Sequence, residues 1–412
     1  MTALDETPPQ TRDVEGYDDS RLPQLLEEAR KLRPLLREQA ARAEELRTLT
    51  PEVETALRRL DMFSLTTPRR WGGAGLSNRA YVEFQMELGQ GDLAAAWVVQ
   101  ILNSTTWIGS IAPDSLQETL FAEGPTIICG AYNPPGIGTK VDGGYRLTGR
   151  FPYSSGSRLA KWAQCGFVHM GEEGKPVTPG MNFAYVPMEQ VTVEDSWYMV
   201  GMQATGSDTT VVDSVFVPDH MVVPADRPFG FPDPHKRNFG EASDRQPLIP
   251  SIRATGMGLL VGGALAMLEL VEVNAQEKPL VTTFFATKAE SQVVVHDLGK
   301  VAAQLDSARL LALHAAEEVD TYAAEGRPWT PSDSARNKAA CSQVVDLVHD
   351  SVERLMFIAG SSAFSTANPL SRFWKDIHVA LRHIQNIPSL GYEIYGRDRL
   401  GIDPNIAPVG TY

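Results

Sequence analysis

The chain has 412 residues, and its 37 Lys and Arg residues against 51 Asp and Glu residues give a formal net charge of −14. An apolar fraction of 43% and a charged fraction of 21% are typical of a globular protein. The length predicts two or three packed units. The acidic balance excludes broad nucleic-acid binding, which needs a basic face. The three cysteines, Cys129, Cys165 and Cys341, are too few and too far apart for a disulfide scaffold or a CxxC motif.

The sequence shows neither a signal peptide nor a membrane-spanning segment. Residues 1–19 are acidic and contain proline, and they lack the basic and apolar blocks of a signal peptide. The longest apolar run, residues 256–268, is shorter than the ~20 residues that a bilayer span requires. We therefore expect a soluble, cytoplasmic protein without a membrane partner.

The first 125 residues are predicted to be helical. Leucines from Leu22 to Leu36 fall on one helical face, and Pro34 predicts a kink or a restart of that helix. Thr50-Pro51-Glu52 is a helix start, with a capping hydroxyl and proline at the first helical position. The apolar segment 92–111 predicts a buried helix pair or one long helix.

From about residue 126 short β-rich runs replace the helical pattern. They are separated by Gly, Pro and Asp, and Asp142-Gly143 is a hairpin turn candidate. The runs are residues 126–131, 145–151, 162–170, 182–187 and 209–218. Short strands without intervening helices predict an antiparallel sandwich or barrel.

The last third of the chain is predicted to be helical again. Residues 227–250 are rich in Pro, Gly and charge and indicate a linker. Helices follow over 293–326, 332–359 and 368–387, and Pro388 is expected to end the last one. The chain thus divides into residues 1–125, 126–245 and 246–412, which are helical, β and helical in turn.

Common catalytic motifs are missing from the sequence. There is no GxSxG elbow, no phosphate-binding loop and no HExxH, and the eight histidines do not cluster at metal-ligand spacing, so no metal site is predicted. Residues 256–263 imitate a dinucleotide fingerprint, but no strand precedes them. Their small side chains are better explained by close packing of a core helix.

Three segments carry chemistry only when they are taken together. Residues 149–157 contain a Ser-Ser-Gly-Ser turn after a strand, and residues 201–218 contain a Gly-Ser-Asp-Thr turn before one. Such turns can present backbone N–H groups and hydroxyls to a planar polar ligand. Residues 372–386 form a predicted helix with Asp376 and two histidines. Each segment alone is more often structural.

In this order and at these separations, the three segments resemble the acyl-CoA dehydrogenase fold, and more narrowly its two-component flavin-dependent monooxygenases. The resemblance runs from residue 68 to residue 378 and is most specific over 195–218. It implies an α+β fold with an N-terminal helical domain, a central antiparallel β-barrel and a C-terminal four-helix bundle. It also implies a homotetramer.

The resemblance assigns roles to residues of the three segments. Ser155 falls where the family places a hydroxyl on flavin N5, and Phe284 keeps the aromatic position of a flavin-anchoring motif. His383 falls near flavin C4a and the substrate, where an imidazole titrating near neutrality suits proton transfer. Asp376 belongs to the same catalytic pattern. The remaining implied flavin-binding residues are Tyr153, Ser154, Thr205, Gly206, Ser207 and Thr209.

Three departures from the family pattern bear on the flavin and on the branch of the family. Lys375 replaces the arginine before Asp376, and Val281 replaces the arginine that anchors the flavin pyrophosphate, so FMN and FAD both stay open. The dehydrogenase branch needs a carboxylate base where residues 383–386 read His-Ile-Gln-Asn, and Glu393 comes too late in the chain. Acyl-CoA dehydrogenation is therefore disfavoured.

The resemblance implies that a separate flavin reductase supplies reduced flavin, which reacts with O2 to give a C4a-hydroperoxide. The oxygen acceptor stays open between two options. One is a phenol or aromatic polyketide, which indicates secondary metabolism such as antibiotic biosynthesis. The other is the amine of a nucleotide-linked amino sugar. A non-catalytic flavin-binding protein is a third, disfavoured class.

Candidate substrate residues differ between those options. Trp97 and Trp107, with Asn103 between them, are expected to line an apolar slot for a flat aromatic molecule. Arg245 and Arg253 are expected to serve a phosphate, as a sugar nucleotide requires. The slot favours the aromatic substrate slightly.

Overall fold

Helices at both ends of the chain enclose a central sheet. The computed structural model describes residues 15–171, 174–177, 180–224, 240–403 and 406–407. In that part of the chain the helices are α1 (Leu22–Leu46), α2 (Pro51–Arg59), α3 (Asn78–Gly89), α4 (Leu93–Ser110), α5 (Asp114–Leu120), α6 (Leu248–Glu277), α7 (Gln292–Glu325), α8 (Pro331–Ala359), α9 (Pro369–Ala380) and α10 (Pro388–Arg399).

The N-terminal helices form largely where the sequence predicts them. The Thr50 hydroxyl accepts a hydrogen bond from Val53 N–H and so caps α2, and Asp92 caps α4 in the same way through Ala95 N–H. The predicted restart at Pro34 is wrong, because α1 continues through it. The segment 92–111 is one helix, α4, and not a pair.

The strands between the helical parts form one seven-stranded sheet. They are β1 (Ile128–Val141), β2 (Gly144–Phe151), β3 (Trp162–Met170), β4 (Asn182–Pro187), β5 (Thr192–Glu194), β6 (Thr209–Pro218) and β7 (Val222–Val223). Their order is β5-β6-β2-β1-β3-β4-β7. Asp142-Gly143 makes the predicted hairpin between β1 and β2, with Gly143 at φ +74°.

The predicted closed antiparallel barrel is not confirmed. In the described residues the edge strands β5 and β7 do not pair, so the sheet is open, and β1 and β3 run parallel. The parallel pair arises because the chain leaves β2, passes through the turn at 152–161 and crosses to the far side of β1.

Helix α6 is the central helix of the C-terminal bundle. It packs against α3, α4, α7, α8 and α9. A Cβ added at Gly258 or Gly262 would overlap the carbonyl oxygen of Val82 or Met86 on α3. The small residues therefore allow close helix packing, as predicted for 256–263. Helix α6 is long and apolar enough to cross a bilayer, but its apolar window is 78% buried, as in a core helix.

The end of the bundle differs from the prediction. Helix α9 ends at Ala380, and Pro388 is the first residue of α10 instead of the end of one helix over 368–387. Proline suits the first helical position because its missing N–H has no partner there. His383 consequently lies in a turn between two helices. Most of the predicted linker 227–250 lies outside the described residues, and α6 already begins at Leu248. The three-part division at 125 and 245 stays a prediction.

Candidate active site

Two hydroxyl-rich turns lie side by side at one end of the sheet. The first follows β2 and the second precedes β6, and these neighbouring strands pair Phe151 with Thr210. The turns also bond to each other directly. Ser154 N–H donates to the Asp208 carbonyl at 3.1 Å, and Gly156 N–H donates to the Thr205 carbonyl at 3.0 Å. The strand pairing thus joins two segments that are about fifty residues apart.

A chain of buried hydroxyls crosses the two turns. The Ser155 and Ser207 hydroxyl oxygens are 2.7 Å apart, and those of Ser207 and Thr205 are 2.6 Å apart. The Thr205 hydroxyl donates to the Met202 carbonyl at 2.8 Å, and Trp97 Nε1–H donates to Ser155 Oγ at 3.2 Å. Because the Thr205 proton is used on a carbonyl, Ser207 must donate to Thr205, and Ser155 must donate to Ser207. Ser155 Oγ keeps one free lone pair.

His383 joins this cluster through Trp97. The two rings meet edge to face, with centroids 5.2 Å apart. Gln385 N–H donates to Nδ1 of His383 at 3.4 Å, so the neutral ring carries its proton on Nε2. Burial lowers the pKa of His383 to about 4. The expected titration of this imidazole near neutrality is therefore wrong, and the ring is neutral at pH 7.

Asp376 acts on the second turn. Its buried carboxyl accepts a hydrogen bond from Met202 N–H, immediately before the turn that carries Thr205. A Cβ on Gly201 would overlap the Lys375 carbonyl, which shows how closely the turn lies against α9. Burial, and then the nearby Asp92 carboxylate, raises the pKa of Asp376. The Asp376 carboxyl thus holds the backbone at the start of the second turn.

The other predicted flavin residues divide into two groups. The Ser154 hydroxyl donates to the Phe151 carbonyl at 2.9 Å and Thr209 Oγ1 accepts from Ser196, so both hold the turns together. Gly206 (φ +53°) shapes the second turn, and Tyr153 (φ +64°) is 64% exposed beside the cluster. Phe284 is fully exposed in the loop after α6 and is not brought to the site.

Of the predicted substrate residues, only Trp97 lies in the hydroxyl cluster. Trp97 lies in the cluster, and Trp107 lies further along α4, where its Nε1–H donates to the Ser243 carbonyl at 3.3 Å. The Asn103 amide donates to the Met62 and Val99 carbonyls, both at 2.8 Å, and so has a structural role. Arg253 points to α8, where it donates to Asn337 at 3.2 Å, and its Nε and Nη1 have no partner.

Two aspartates that hold the site were not found from the sequence. Asp208 accepts hydrogen bonds from Arg158 at 3.0 and 2.7 Å, and its other oxygen accepts from Ser196 and Trp197 N–H. Asp92 caps α4 and raises the pKa of Asp376 through its charge. The capping role of Asp92 is visible in Gly-Asp before an apolar helix, but its proximity to α9 is not.

The cluster suits the polar edge of a flavin. In the turn after Ser155, the Ser157 hydroxyl is buried without a partner, and so is Oε1 of Gln385 beside His383. Such unpaired polar atoms are costly unless a ligand or water satisfies them. Within the described ranges no group of three or more His, Cys, Asp or Glu residues is placed to hold a metal ion.

Comparisons with known proteins agree with this geometry. Two family models match: acyl-CoA dehydrogenase, N-terminal domain, over residues 24–118, and acyl-CoA dehydrogenase, C-terminal domain, over residues 257–388. The FADH(2)-dependent resorcinol hydroxylase, oxygenase component, of Rhizobium sp. (strain MTP-10005) is 30% identical over 388 residues, which cover 90% of this chain and 92% of that protein.

Further relatives share that character. The oxygenase subunit HsaA of a flavin-dependent monooxygenase of Mycobacterium tuberculosis (strain ATCC 25618 / H37Rv) is 29% identical over 385 residues, 90% of this chain and 94% of that protein. The structure of XiaF from Streptomyces sp., in complex with FADH2 and glycerol, superposes with a TM-score of 0.90 at 27% identity, covering 95% of this chain and 98% of that one.

The chain therefore belongs to the acyl-CoA dehydrogenase family. Within that family its relatives are oxygenase components of two-component flavin-dependent monooxygenases, and the chain is an oxidoreductase of this kind that uses reduced flavin.

Proposed function

We propose that the protein hydroxylates a phenolic or other aromatic molecule with O2 and reduced flavin from a separate reductase. The observation that carries this proposal is the directed hydrogen-bond chain from Trp97 through Ser155 to Thr205, which leaves one lone pair on Ser155 Oγ. Bound reduced flavin supplies the electrons for O2 and the route by which one oxygen atom reaches the substrate.

The lone pair of Ser155 selects the redox state of the cofactor. Reduced flavin carries a hydrogen on N5, whereas oxidised flavin presents a lone pair there. The Ser155 hydroxyl already donates to Ser207, so it is arranged to accept a hydrogen bond, and only the reduced cofactor donates one. Ser155 thus favours reduced flavin and retards loss of the N5 proton, which would release hydrogen peroxide.

His383 is suited to orient the substrate. A neutral ring with its proton on Nε2 donates one hydrogen bond, and a phenol or phenolate oxygen is an acceptor for it. Trp97 packs against the ring, so the imidazole is held at a fixed angle beside Ser155. His383 therefore fixes the hydroxyl-bearing carbon of the substrate relative to the flavin.

Asp376 is proposed to position the site from outside. By accepting the Met202 N–H it holds the beginning of the turn that carries Thr205 and Ser207. Replacing the carboxyl with an apolar side chain would leave that buried N–H unsatisfied. We assign Asp376 a positioning role and not a chemical one.

The aromatic substrate is supported by relatives whose names give resorcinol and indole-3-acetate as their substrates. A nucleotide-linked amino sugar would need cations at the site for its pyrophosphate. Arg253 points to α8 instead, and the Arg245 guanidinium lies beside Gly326 at the end of α7. A nucleotide subsite therefore lacks support.

Matched variants of neighbouring serines test the proposal. With reduced FMN or FAD, O2 and a panel of phenols, we expect Ser155→Ala to release hydrogen peroxide roughly ten- to a hundredfold faster, because one hydrogen bond at the reacting cofactor is lost. Ser154→Ala is the control, since that hydroxyl bonds the Phe151 carbonyl at the end of β2 and the Thr210 hydroxyl at the start of β6. Equal coupling in the two variants would reject the role of Ser155, and absence of hydroxylated product with every phenol would reject the activity.

Three finer statements belong to the same proposal. We propose a homotetramer in the cytoplasm, acting in secondary metabolism such as antibiotic biosynthesis. Assembly is supported by the exposed apolar loop after α6, where Val281 is 76% exposed and Phe284 fully so. The same loop lacks the arginine of the flavin-anchoring motif, which leaves FMN and FAD equally acceptable.

A further inference from the structure

A cavity outside the hydroxyl cluster lies where α1, α6 and α9 meet the turn before α4. Its volume is about 270 Å³, which is enough for one substituted ring. Leu270 and Phe373 are among its apolar side chains, and its charged or titratable ones are Arg37, Asp92, Arg372 and Asp376. Apolar walls with a few converging polar groups are typical of a small-molecule site.

The guanidinium of Arg372 has unused donors at this cavity. Its Nε donates to Glu44 at 3.2 Å, and among the described residues its two Nη groups have no hydrogen-bond partner. Burial raises the pKa of Asp92 to about 6, and the nearby charge of Arg372 opposes that shift. Arg372 and Asp92 are thus neighbours, although they make no direct ion pair in the part of the chain that the structure describes. An acceptor placed between them receives a hydrogen bond from Arg372.

The Asp92 carboxyl supplies the complementary group. It is only 6% exposed, and its Oδ1 accepts a hydrogen bond from Ala95 N–H at 2.7 Å. An ionised carboxylate accepts up to about four hydrogen bonds, so acceptor capacity is left over. Above its pKa of about 6 the group only accepts, and a ligand that contacts it must therefore donate.

The charges around the cavity cancel. The ion pairs that border it join Arg37 to Glu269, and both Arg372 and Lys375 to Glu44. Their one excess positive charge is balanced by the Asp92 carboxylate. Asp376 adds no charge at neutral pH, because burial, and then the charge of Asp92, raises its pKa to about 8. A neutral ligand therefore suits the cavity better than an ion, which would lack a counter-charge there.

We propose that this cavity binds a small neutral molecule with an apolar body and a primary carboxamide group. The carbonyl oxygen accepts a hydrogen bond from an Nη group of Arg372, and the amide N–H donates to Asp92. A carboxylate would bring a second negative charge beside Asp92, and a ketone would offer it no donor. Ser155 and His383 do not line the cavity, so this site is separate from the proposed flavin site and does not depend on the proposed function.

Three cyclohexane derivatives of nearly the same shape test the proposal. They are cyclohexanecarboxamide, cyclohexyl methyl ketone and cyclohexanecarboxylate, and their dissociation constants are measured by calorimetry above the pKa of Asp92. The variants are Asp92→Asn, which keeps a good helix cap, and Arg372→Lys, which keeps the charge opposite Glu44 and loses the planar fork. Asp114→Asn is the control, because Asp114 is an exposed aspartate at the first position of α5.

The wild type and Asp114→Asn are expected to bind the amide roughly tenfold more tightly than the ketone or the carboxylate, as one buried hydrogen bond allows. Asp92→Asn should bind the amide and the ketone alike, and it should bind the carboxylate more tightly than the wild type does. Arg372→Lys should bind the amide roughly tenfold more weakly, and this variant decides if Asp92→Asn does not fold. No binding of the amide by the wild type, equal binding of amide and ketone, a preference that survives in Asp92→Asn, or undiminished binding by Arg372→Lys would overturn the proposal.

Discussion

At the scale of single residues, burial sets the chemistry of the titratable groups. The resemblance to the family implies that His383 lies near the flavin. Its pKa is lowered from the ordinary value near neutrality, because the ring is desolvated beside Trp97. Burial also raises the pKa of Asp92 and of Asp376, which lie where α4 meets α9. The motif was enough to select His383 and Asp376 as site residues. Their protonation states could not be predicted, because they depend on neighbours that only the fold brings together.

His383 is therefore expected to contribute no inflection to the rate profile near its usual pKa. Its pKa lies at about 4 in the folded protein, so the ring stays neutral throughout the neutral range. His383→Asn, which keeps an N–H donor, should retain more activity than His383→Ala, by roughly tenfold for one hydrogen bond. Steady-state hydroxylation measured against pH checks both points. An inflection near neutrality that disappears in His383→Asn would contradict the neutral ring.

The raised pKa of Asp376 predicts how the free energy of unfolding depends on pH. Its folded pKa is raised from 3.8 to about 8, mainly by burial and then by Asp92. The folded state therefore holds a proton that the unfolded state releases, and this contribution to stability is present at low pH and is lost as the pH rises from 3.8 to about 8. Asp376→Asn keeps an acceptor for Met202 N–H and removes the titration.

The free energy of unfolding, measured in urea across this pH range, should decline less steeply in Asp376→Asn than in the wild type. Asp376→Ala, which leaves the Met202 N–H unpaired, should be less stable than Asp376→Asn by about 1–3 kcal/mol at all pH values. Parallel pH profiles for the wild type and Asp376→Asn would show that this carboxyl does not titrate in the folded protein.

At the scale of elements, local signals located most helices and strands but not all of their ends. Thr50 and Asp142-Gly143 act as their local chemistry predicts, because caps and tight turns depend on a few adjacent residues. Pro34 and Pro388 do not act as predicted. Helix α1 continues through Pro34, and Pro388 is the first residue of α10. Because α9 ends at Ala380, His383 lies in a turn. The helical pattern of residues 372–386 did not predict this turn.

The approach of α6 to α3 gives a prediction for glycine. Gly262→Ala would place a methyl group against the backbone of Met86, so one helix must shift, at a cost of about 1–3 kcal/mol. Gly299→Ala on α7 is the control, because a Cβ there meets nothing within 4 Å, and it should stabilise the protein by about 0.5–1 kcal/mol. Urea unfolding of the two variants checks the difference. Stabilisation by both would show that the helices do not pack this closely.

At the scale of the whole molecule, the order of helices, sheet and helices was predictable, and the closure of the sheet was not. The pattern of β-rich runs in the sequence predicts that strands form and pair. Their order in the sheet depends on the crossover after β2, which places β3 parallel to β1. The two turns of the candidate site could be recognised because they are local motifs, and their pairing through β2 and β6 is observed. Its supports, Asp208 and Asp92, could not, because their partners are distant in the chain.

The exposed loop after α6 gives a prediction for assembly. Phe284 is fully exposed, and Val281 and Phe285 of the same loop are 76% and 39% exposed. A group of exposed apolar side chains of this kind marks an interaction surface. Phe284→Asp is expected to shift the molecular mass in light scattering from that of a tetramer toward smaller species. Leu310→Asp on α7, 67% exposed, is the control and should leave the mass unchanged. A monomeric wild type would reject the tetramer.

Incorporation of molecular oxygen is the most direct test of the central claim. The protein is supplied with a flavin reductase, flavin, a nicotinamide reductant and a panel of phenols under oxygen-18 gas, and the product is analysed by mass spectrometry. The account predicts a hydroxylated product with one labelled oxygen atom, formed only when reduced flavin is present and largely lost in Ser155→Ala. Product without the label, or a protein whose oxidised flavin is instead bleached by acyl-CoA substrates, would contradict it.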